Sequence, residues 1–405
     1  MKSVIITATL CLLLLEGIGK VWEESAWYRK YKRWLQLAVL VLATLVCVAK
    51  QFSEKPVEEV VRQAIEPLQC QIDDLTRLIG STRWRDSAQL PDPAHDVADC
   101  LRTRELLDSI QYTAVEKGLI AIGLSDYSVA REHLNYAVAA AAGDRVAQAE
   151  ALFYMGVIGI LQGDYHQALT SFSSSLECDS DPSDTWYNHG LCLLRLDEYV
   201  QAEHSFEQAV DRDPADADGW HNLGVTRNNQ GRYKDAIPAF RRAVRLRPLD
   251  AESQASLGHC LAQVDRHSEA VAVLSIAVRL DPENGLAWMD KGLSERALGE
   301  SVAGMESLTT ASHLCPDSAL VWYNLGNVQF ELGHKPAALA SYVKAAGLNP
   351  RHSLTWSNMG AVYLDLDSLP LAQTAFLKAL TVDSSCKPAK MGLREVNLRL
   401  DNKGT

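Results

Sequence analysis

"WYNLG", residues Trp322–Gly326, decides the reading of this chain because it recurs. "WYNHG" runs from Trp186 to Gly190, "WHNLG" from Trp220 to Gly224 and "WSNMG" from Trp356 to Gly360. The glycines at 190, 224, 258, 292, 326 and 360 stand 34 residues apart. Tryptophans 186, 220, 288, 322 and 356 keep the same step, with Gln254 in the slot between 220 and 288. Either these pieces converge on one catalytic centre, or they mark one structural unit repeated along the chain.

The other columns decide for repetition. Ala209, Ala243, Ala277, Ala311, Ala345 and Ala379 form an unbroken alanine column, and Ala202, Ala236, Ala270, Gly304, Ala338 and Ala372 a second. Phe206, Phe240, Leu274, Leu308, Tyr342 and Phe376 form a large apolar column; Pro214, Pro248, Pro282, Pro316 and Pro350 form a proline column that ends at Ser384. Within one unit, Trp220 to Arg227 suits a first helix, and Gly231 ends it as a left-handed residue. Ala236, Phe240 and Ala243, spaced four and three, line one face of a second helix, which Pro248 stops. Gly224 and Ala236 let the two helices approach, while Trp220 and Phe240 fill the volume around them. Pro336 and Pro370 fall in the first turn of their second helices, where a missing N–H costs little. One such hairpin cannot bury its apolar face alone, but stacked neighbours can.

A period of 34 with Trp, Leu-Gly, Ala, Phe, Ala and Pro in this order resembles the tetratricopeptide repeat. Two further units extend it backwards, one holding Gly156, Gly163, Tyr165, Ala168 and Phe172, and a degenerate one holding Gly118, Tyr127, Ala130, Leu134 and Ala137. Ala130 and Ala168 are 38 residues apart, so four extra residues are expected in "AAAAGD" after Val138. This gives about eight units over 111–386, closed by a capping helix over 387–405 that carries Met391, Leu393, Val396 and Leu400. Lys291, Glu295 and Gly304 interrupt the pattern of the unit starting near Asn284, which is expected to be the least stable internal unit. The fold that the resemblance implies is all-α, a right-handed superhelical solenoid of antiparallel helix pairs whose first helices line a concave groove.

The resemblance also implies protein or peptide partners in that groove. In several long arrays of this family, an asparagine two residues after the Trp column contacts peptide backbone; here the slot holds Asn188, Asn222, Ser256, Asp290, Asn324 and Asn358. An amide offers donors and an acceptor to an extended backbone whatever its side chains. The alternative is that these asparagines make local hydrogen bonds only. Tyr187, His221, Met289, Tyr323, Asn327 and Phe330 are neighbouring candidates, and each can equally pack against the adjacent unit. The peptide-binding set is therefore Asn188, Asn222, Asn324, Asn358, Tyr187, His221, Tyr323 and Asn327. Residues 149–386 carry 17 Lys and Arg against 30 Asp and Glu. Asp184, Asp218 and Glu252 precede their helices in equivalent slots, where they favour the helix N-terminus or attract basic segments of a partner. The carboxylate clamp of the family's chaperone-tail readers, built from Lys, Asn and Arg, has no match here.

Residues 1–52 read as a membrane-anchor region. Ser3 to Leu15 is an uncharged run of signal-peptide length. A second uncharged run, Trp34 to Ala49, would rise about 24 Å as a helix, against the ~30 Å of a hydrocarbon core. Arg33 and Lys50 can snorkel, and Trp22, Trp27, Tyr28, Tyr31 and Trp34 suit an interfacial belt. One or two hydrophobic helices are thus expected before the array, with the transmembrane helix at 34–49. "YRKYKRW" before it places the array outside the cytoplasm by the positive-inside rule. The seven cysteines beyond residue 50, with no Cys-x-x-Cys pair, read as free thiols and point the other way. Residues 53–80 suit an amphipathic helix whose Ile65, Leu68, Ile72, Leu75 and Ile79 form a short heptad seam, interrupted by Pro67. Self-association through that seam and packing on its own chain are both open. Residues 81–110 read as a linker and lead-in helix.

A net charge of -12 argues against nucleic acid as a partner. No phosphate loop, His-Glu-x-x-His pair or Gly-x-Ser-x-Gly elbow occurs, and "DPADADG" lacks the distal glutamate of a calcium loop, with Val225 in that place. No catalytic residue, metal or cofactor is expected. Two readings remain: a membrane-tethered interaction scaffold or receptor, or a structural or assembly subunit of a membrane complex without a binding groove.

Overall fold

The computed structural model describes residues 113–403, and every regular element among them is a helix. The anchor region (1–52), the heptad segment (53–80) and the linker and lead-in helix (81–110) expected from the sequence all lie outside the described residues. The chain divides into two compact units at Pro214–Ala215. The first holds α1 (Ala114–Gly123), α2 (Tyr127–Ala140), α3 (Arg145–Leu161), α4 (Tyr165–Cys178), α5 (Ser183–Arg195) and α6 (Tyr199–Arg212). The second holds α7 (Ala217–Asn229), α8 (Tyr233–Leu246), α9 (Ala251–Gln263), α10 (His267–Leu280), α11 (Gly285–Ala297), α12 (Ser301–Leu314), α13 (Ala319–Glu331), α14 (Lys335–Leu348), α15 (Ser353–Asp365), α16 (Leu369–Val382) and α17 (Lys387–Lys403). Each unit is a solenoid of antiparallel helix pairs. None of the described helices is long and apolar enough to cross a membrane.

The turn within each pair has one chemical solution. Gly163, Asp197, Gly231, Asp265, Gly299, Gly333 and Asp367 all take a left-handed conformation, with φ between 56° and 83°. The next N–H then reaches back five residues, as in Arg232 N to Arg227 O at 2.9 Å and His334 N to Gln329 O at 2.8 Å. That bond satisfies a carbonyl the helix end would leave bare.

Close approach sets the packing of each pair. A Cβ on Gly326 would fall 2.7 Å from the Tyr342 ring, and one on Gly258 2.4 Å from Leu274. The large side chain of the second helix therefore lies directly on the backbone of the first. Phe172, Phe206, Phe240, Leu274, Leu308, Tyr342 and Phe376 are all buried there, each contributing about 2–3 kcal/mol of transfer free energy.

The Trp column ties one pair to the next. Trp288, Trp322 and Trp356 donate their indole N–H to the carbonyls of Pro282, Pro316 and Pro350 at 3.0, 2.8 and 2.9 Å, and Trp186 donates to Ser180 at 2.8 Å. Each clamps the loop leading into its own helix.

Two expectations are corrected. The four extra residues lie beyond "AAAAGD" and lengthen α3 by about a turn. Asp144 fixes that start by accepting from Val146 N and Ala147 N, both at 3.1 Å. In the closing helix, Val396 is buried and Leu393 and Leu400 pack beside it, but Met391 faces solvent.

Candidate functional site

In the second unit the first helices bring three of the candidate residues together. Tyr323 and Asn327 are four residues apart on α13, and Asn358 approaches them from α15. Asn358 Nδ2 donates to Asn327 Oδ1 at 2.8 Å and to Tyr323 Oη at 3.4 Å. Tyr342 Oη donates to the same Asn327 Oδ1 at 2.8 Å from within the core. Burial pushes the Tyr342 phenol far above its ordinary range, so it stays a donor. The edge of the His352 ring meets Tyr323 with centroids 4.8 Å apart. Arg296 forks onto Glu331 and joins α11 to α13 beside this cluster. Leu320, with Tyr323 and Asn327 following at three and seven residues, shares their face of the helix and is exposed; Leu286 and Leu354 occupy its slot on α11 and α15 and are exposed too.

A register rule underlies these contacts. Asn358 meets Asn327 across 31 residues, and Asp290 meets His259 across the same interval, its carboxylate 2.9 Å from Nδ1. The residue two past the Trp slot thus bonds the residue five past that slot in the preceding pair. The hydrogen bond to Asp290 raises the His259 pKa above that of a free histidine, against the effect of burial. His259 was not singled out in the sequence; its signal was this fixed offset from the asparagine column.

The other candidates are more deeply committed to packing. Asn324 and Met289 are buried, and Phe330 is half-buried. His221 Nδ1 lies 2.8 Å from Ser253 Oγ, and its ring meets Phe240 edge-on. Asn222 is half-buried on α7. In the first unit, Tyr187 is buried edge-on against Phe206 with centroids 5.8 Å apart. Asn188 is buried and donates to the Asp184 carbonyl of its own helix at 2.8 Å. Beside it, His189 bridges two serines, Ser205 Oγ at 2.9 Å and Ser173 Oγ at 3.2 Å. Burial and the neighbouring His204 push its pKa down to about 4, so it is neutral at pH 7. No group of three His, Cys, Asp or Glu among the described residues stands close enough to hold a metal ion.

Models of the tetratricopeptide repeat match residues 115–185 and 187–251, 229–289 and 319–352, together more than half of the chain. No curated protein matches by sequence. Among solved structures, the chain is similar to YrrB, described as a TPR protein with an unusual peptide-binding site, at 23% identity over 47% of this chain and 96% of that one, with a TM-score of 0.44. It is similar to the APC/C hetero-tetramer Cut9–Hcn1 at 17% identity over 73% and 66%, with a TM-score of 0.46. It is also similar to PilF of Pseudomonas aeruginosa at 18% identity over 54% and 97%, with a TM-score of 0.46.

Proposed function

We propose, from the premise that this chain belongs to the tetratricopeptide-repeat family, that its first-helix face around Tyr323, Asn327 and Asn358 receives an extended segment of a protein partner. Proteins of this family are in general non-catalytic protein-interaction scaffolds. The observation that carries the reading is the hydrogen-bonded cluster itself. Asn327 Oδ1 is fixed by two donors, Tyr342 and Asn358, so the amides are ordered before any ligand arrives. Prior ordering lowers the entropic cost of binding. The Asn358 carbonyl oxygen and the Asn327 N–H groups then serve an extended backbone, and exposed Leu286, Leu320 and Leu354 offer aliphatic contacts on the same faces. At their slot α9 carries Glu252, which suits a basic residue of the partner. The tether at 34–49 and a location of the array outside the cytoplasm belong to this proposal and rest on the sequence alone.

A second reading, a structural or assembly subunit, is favoured by the burial of Tyr187, Asn188 and Asn324 and by the His221–Ser253 bond between α7 and α9. The two readings separate in one experiment. Proteins bound to the full-length chain are recovered from gently solubilised membranes, and their binding regions are titrated against wild type and Leu320→Glu/Leu354→Glu. The scaffold reading expects at least about a tenfold loss of affinity with an unchanged unfolding midpoint, as for a central apolar contact. Full affinity in the variant transfers the function to the structural reading.

A further inference from the structure

We infer that the C-terminal end of the second unit, the outward faces of α16 and α17, is a docking surface for an anionic lipid bilayer. The chain as a whole carries a net charge of -12, yet from Lys335 to Thr405 nine Lys and Arg face five Asp and Glu. The reversal coincides with apolar exposure. Leu371 and Leu377 on α16 are 54% and 48% exposed, and Met391 and Leu398 on α17 are 70% and 60% exposed. Leu371, Thr374, Leu377 and Lys378 follow helical spacing and form one stripe of α16. Lys387, Met391, Arg394 and Leu398, with Lys390 beside them, form one stripe of α17, and each is exposed. Gln373 Nε2 donates to Asn397 Oδ1 at 3.1 Å and joins the two helices at the seam between these stripes.

The inner face of α17 has other work. Val396 and Ala389 are buried against the α16 pair, and a Cβ on Gly392 would fall 2.1 Å from the Phe376 ring, so the helix is seated on its neighbour by that side. Met391 and Leu398 therefore contribute nothing to closing the array. Long aliphatic side chains interleaved with Lys and Arg are what an interfacial helix presents to a membrane. The apolar groups enter the headgroup boundary, and the cations meet anionic lipid. Nucleic acid would meet the same cations but has no use for four exposed aliphatic side chains. This surface is separate from the Tyr323 cluster and stands or falls independently of it.

Hydrogen exchange of the full-length protein tests the inference, because it reads α16 and α17 whatever the N-terminal residues do on a vesicle. Vesicles of phosphatidylcholine mixed with phosphatidylglycerol are expected to slow exchange across 369–400 by about tenfold, and phosphatidylcholine alone is expected to leave it unchanged. The protection should vanish in high salt and in Lys387→Glu/Lys390→Glu/Arg394→Glu, with the neutral Lys387→Gln/Lys390→Gln/Arg394→Gln intermediate and all three proteins unfolding at the same denaturant concentration. Partner capture through the Tyr323 face should be unaltered. Equal protection by both vesicle types, no protection by either, or lipid-free protection that grows with protein concentration, which would mark a second copy on this face, each overturns the inference.

Discussion

Gln254 reaches the Pro248 carbonyl with its side-chain amide at 3.0 Å, the bond that Trp288 makes to Pro282 with its indole. At the one break in the Trp column the loop carbonyl therefore keeps the same hydrogen bond, from a smaller donor. Gln254 is buried, so its loss would leave the loop carbonyl without that donor. Gln254→Leu is expected to cost about 1–2 kcal/mol, while Gln254→Trp restores both donor and ring and costs less. Hydrogen exchange of α9 and α10 reads the difference locally. Equal protection in the two variants would mean that the bond contributes nothing.

The unit of α11 and α12 carries a charge inside it. Lys291 Nζ contacts Glu295, Ser307 Oγ donates to Glu295 Oε2 at 2.6 Å, and Lys291 reaches Ser307 at 3.0 Å. Glu295 and Ser307 are buried. In the next pair the same positions hold Gln329 and Ser341, bonded at 2.7 Å without any ion. Glu295→Ala strands Lys291 and Ser307 and is expected to cost about 3–5 kcal/mol. The double change Lys291→Met/Glu295→Gln reproduces the neutral arrangement and is expected to lie within about 1 kcal/mol of wild type or above it. Chemical denaturation of the three proteins checks both, and a double variant as weak as the single would show that the network is not self-contained.

Gly326 lies under the ring of Tyr342, where a Cβ would come within 2.7 Å. Both the ring and its hydroxyl are held, the latter by Asn327, so the ring cannot slide away. Gly326→Ala should cost about 1–3 kcal/mol as overpacking, and part of this should return in Gly326→Ala/Tyr342→Leu. Strictly additive losses in the double-mutant cycle would break the proposed contact.

These cases also show what the sequence made legible. Helix pairing followed from columns that repeat at 34 residues, because Gly326, Tyr342 and the left-handed Gly231 are dictated by contacts inside one unit. The Trp column was readable as a marker, but its partner was not, since the clamp is a bond to a backbone carbonyl with no side-chain signature. The site was harder for the same reason. Asn188 and Asn358 occupy one column, yet one bonds its own helix and the other a neighbouring pair. What decides between them is the residue 31 positions earlier, Asn327 in one case, and a column read by itself does not contain it. Position 144 shows a third limit, because Asp144 starts α3 early where counting alone placed extra residues in the preceding stretch.

Two histidines should give the two units opposite responses to pH. His189 in the first unit is held down to about 4 by burial first and by His204 second, whereas the unfolded chain binds this proton near 6.5. Between those values the unfolded state carries more protons, so stability falls as the pH drops from about 6.5 to 4, by on the order of 3 kcal/mol once complete. His259 in the second unit is raised by its hydrogen bond to Asp290, with Tyr233 edge-on to its ring. Its contribution is present below 6.5 and is lost as the pH rises through the raised value. Histidine Cε1 resonances should therefore show His189 flat to well below pH 6 and His259 titrating above a free histidine. His189→Gln should remove most of the acid slope in exchange measured over α5 and α6, and Asp290→Asn should return the His259 midpoint downward. A His189 resonance titrating near 6.5 would mean that the ring is open to water and the serine bridge is not formed.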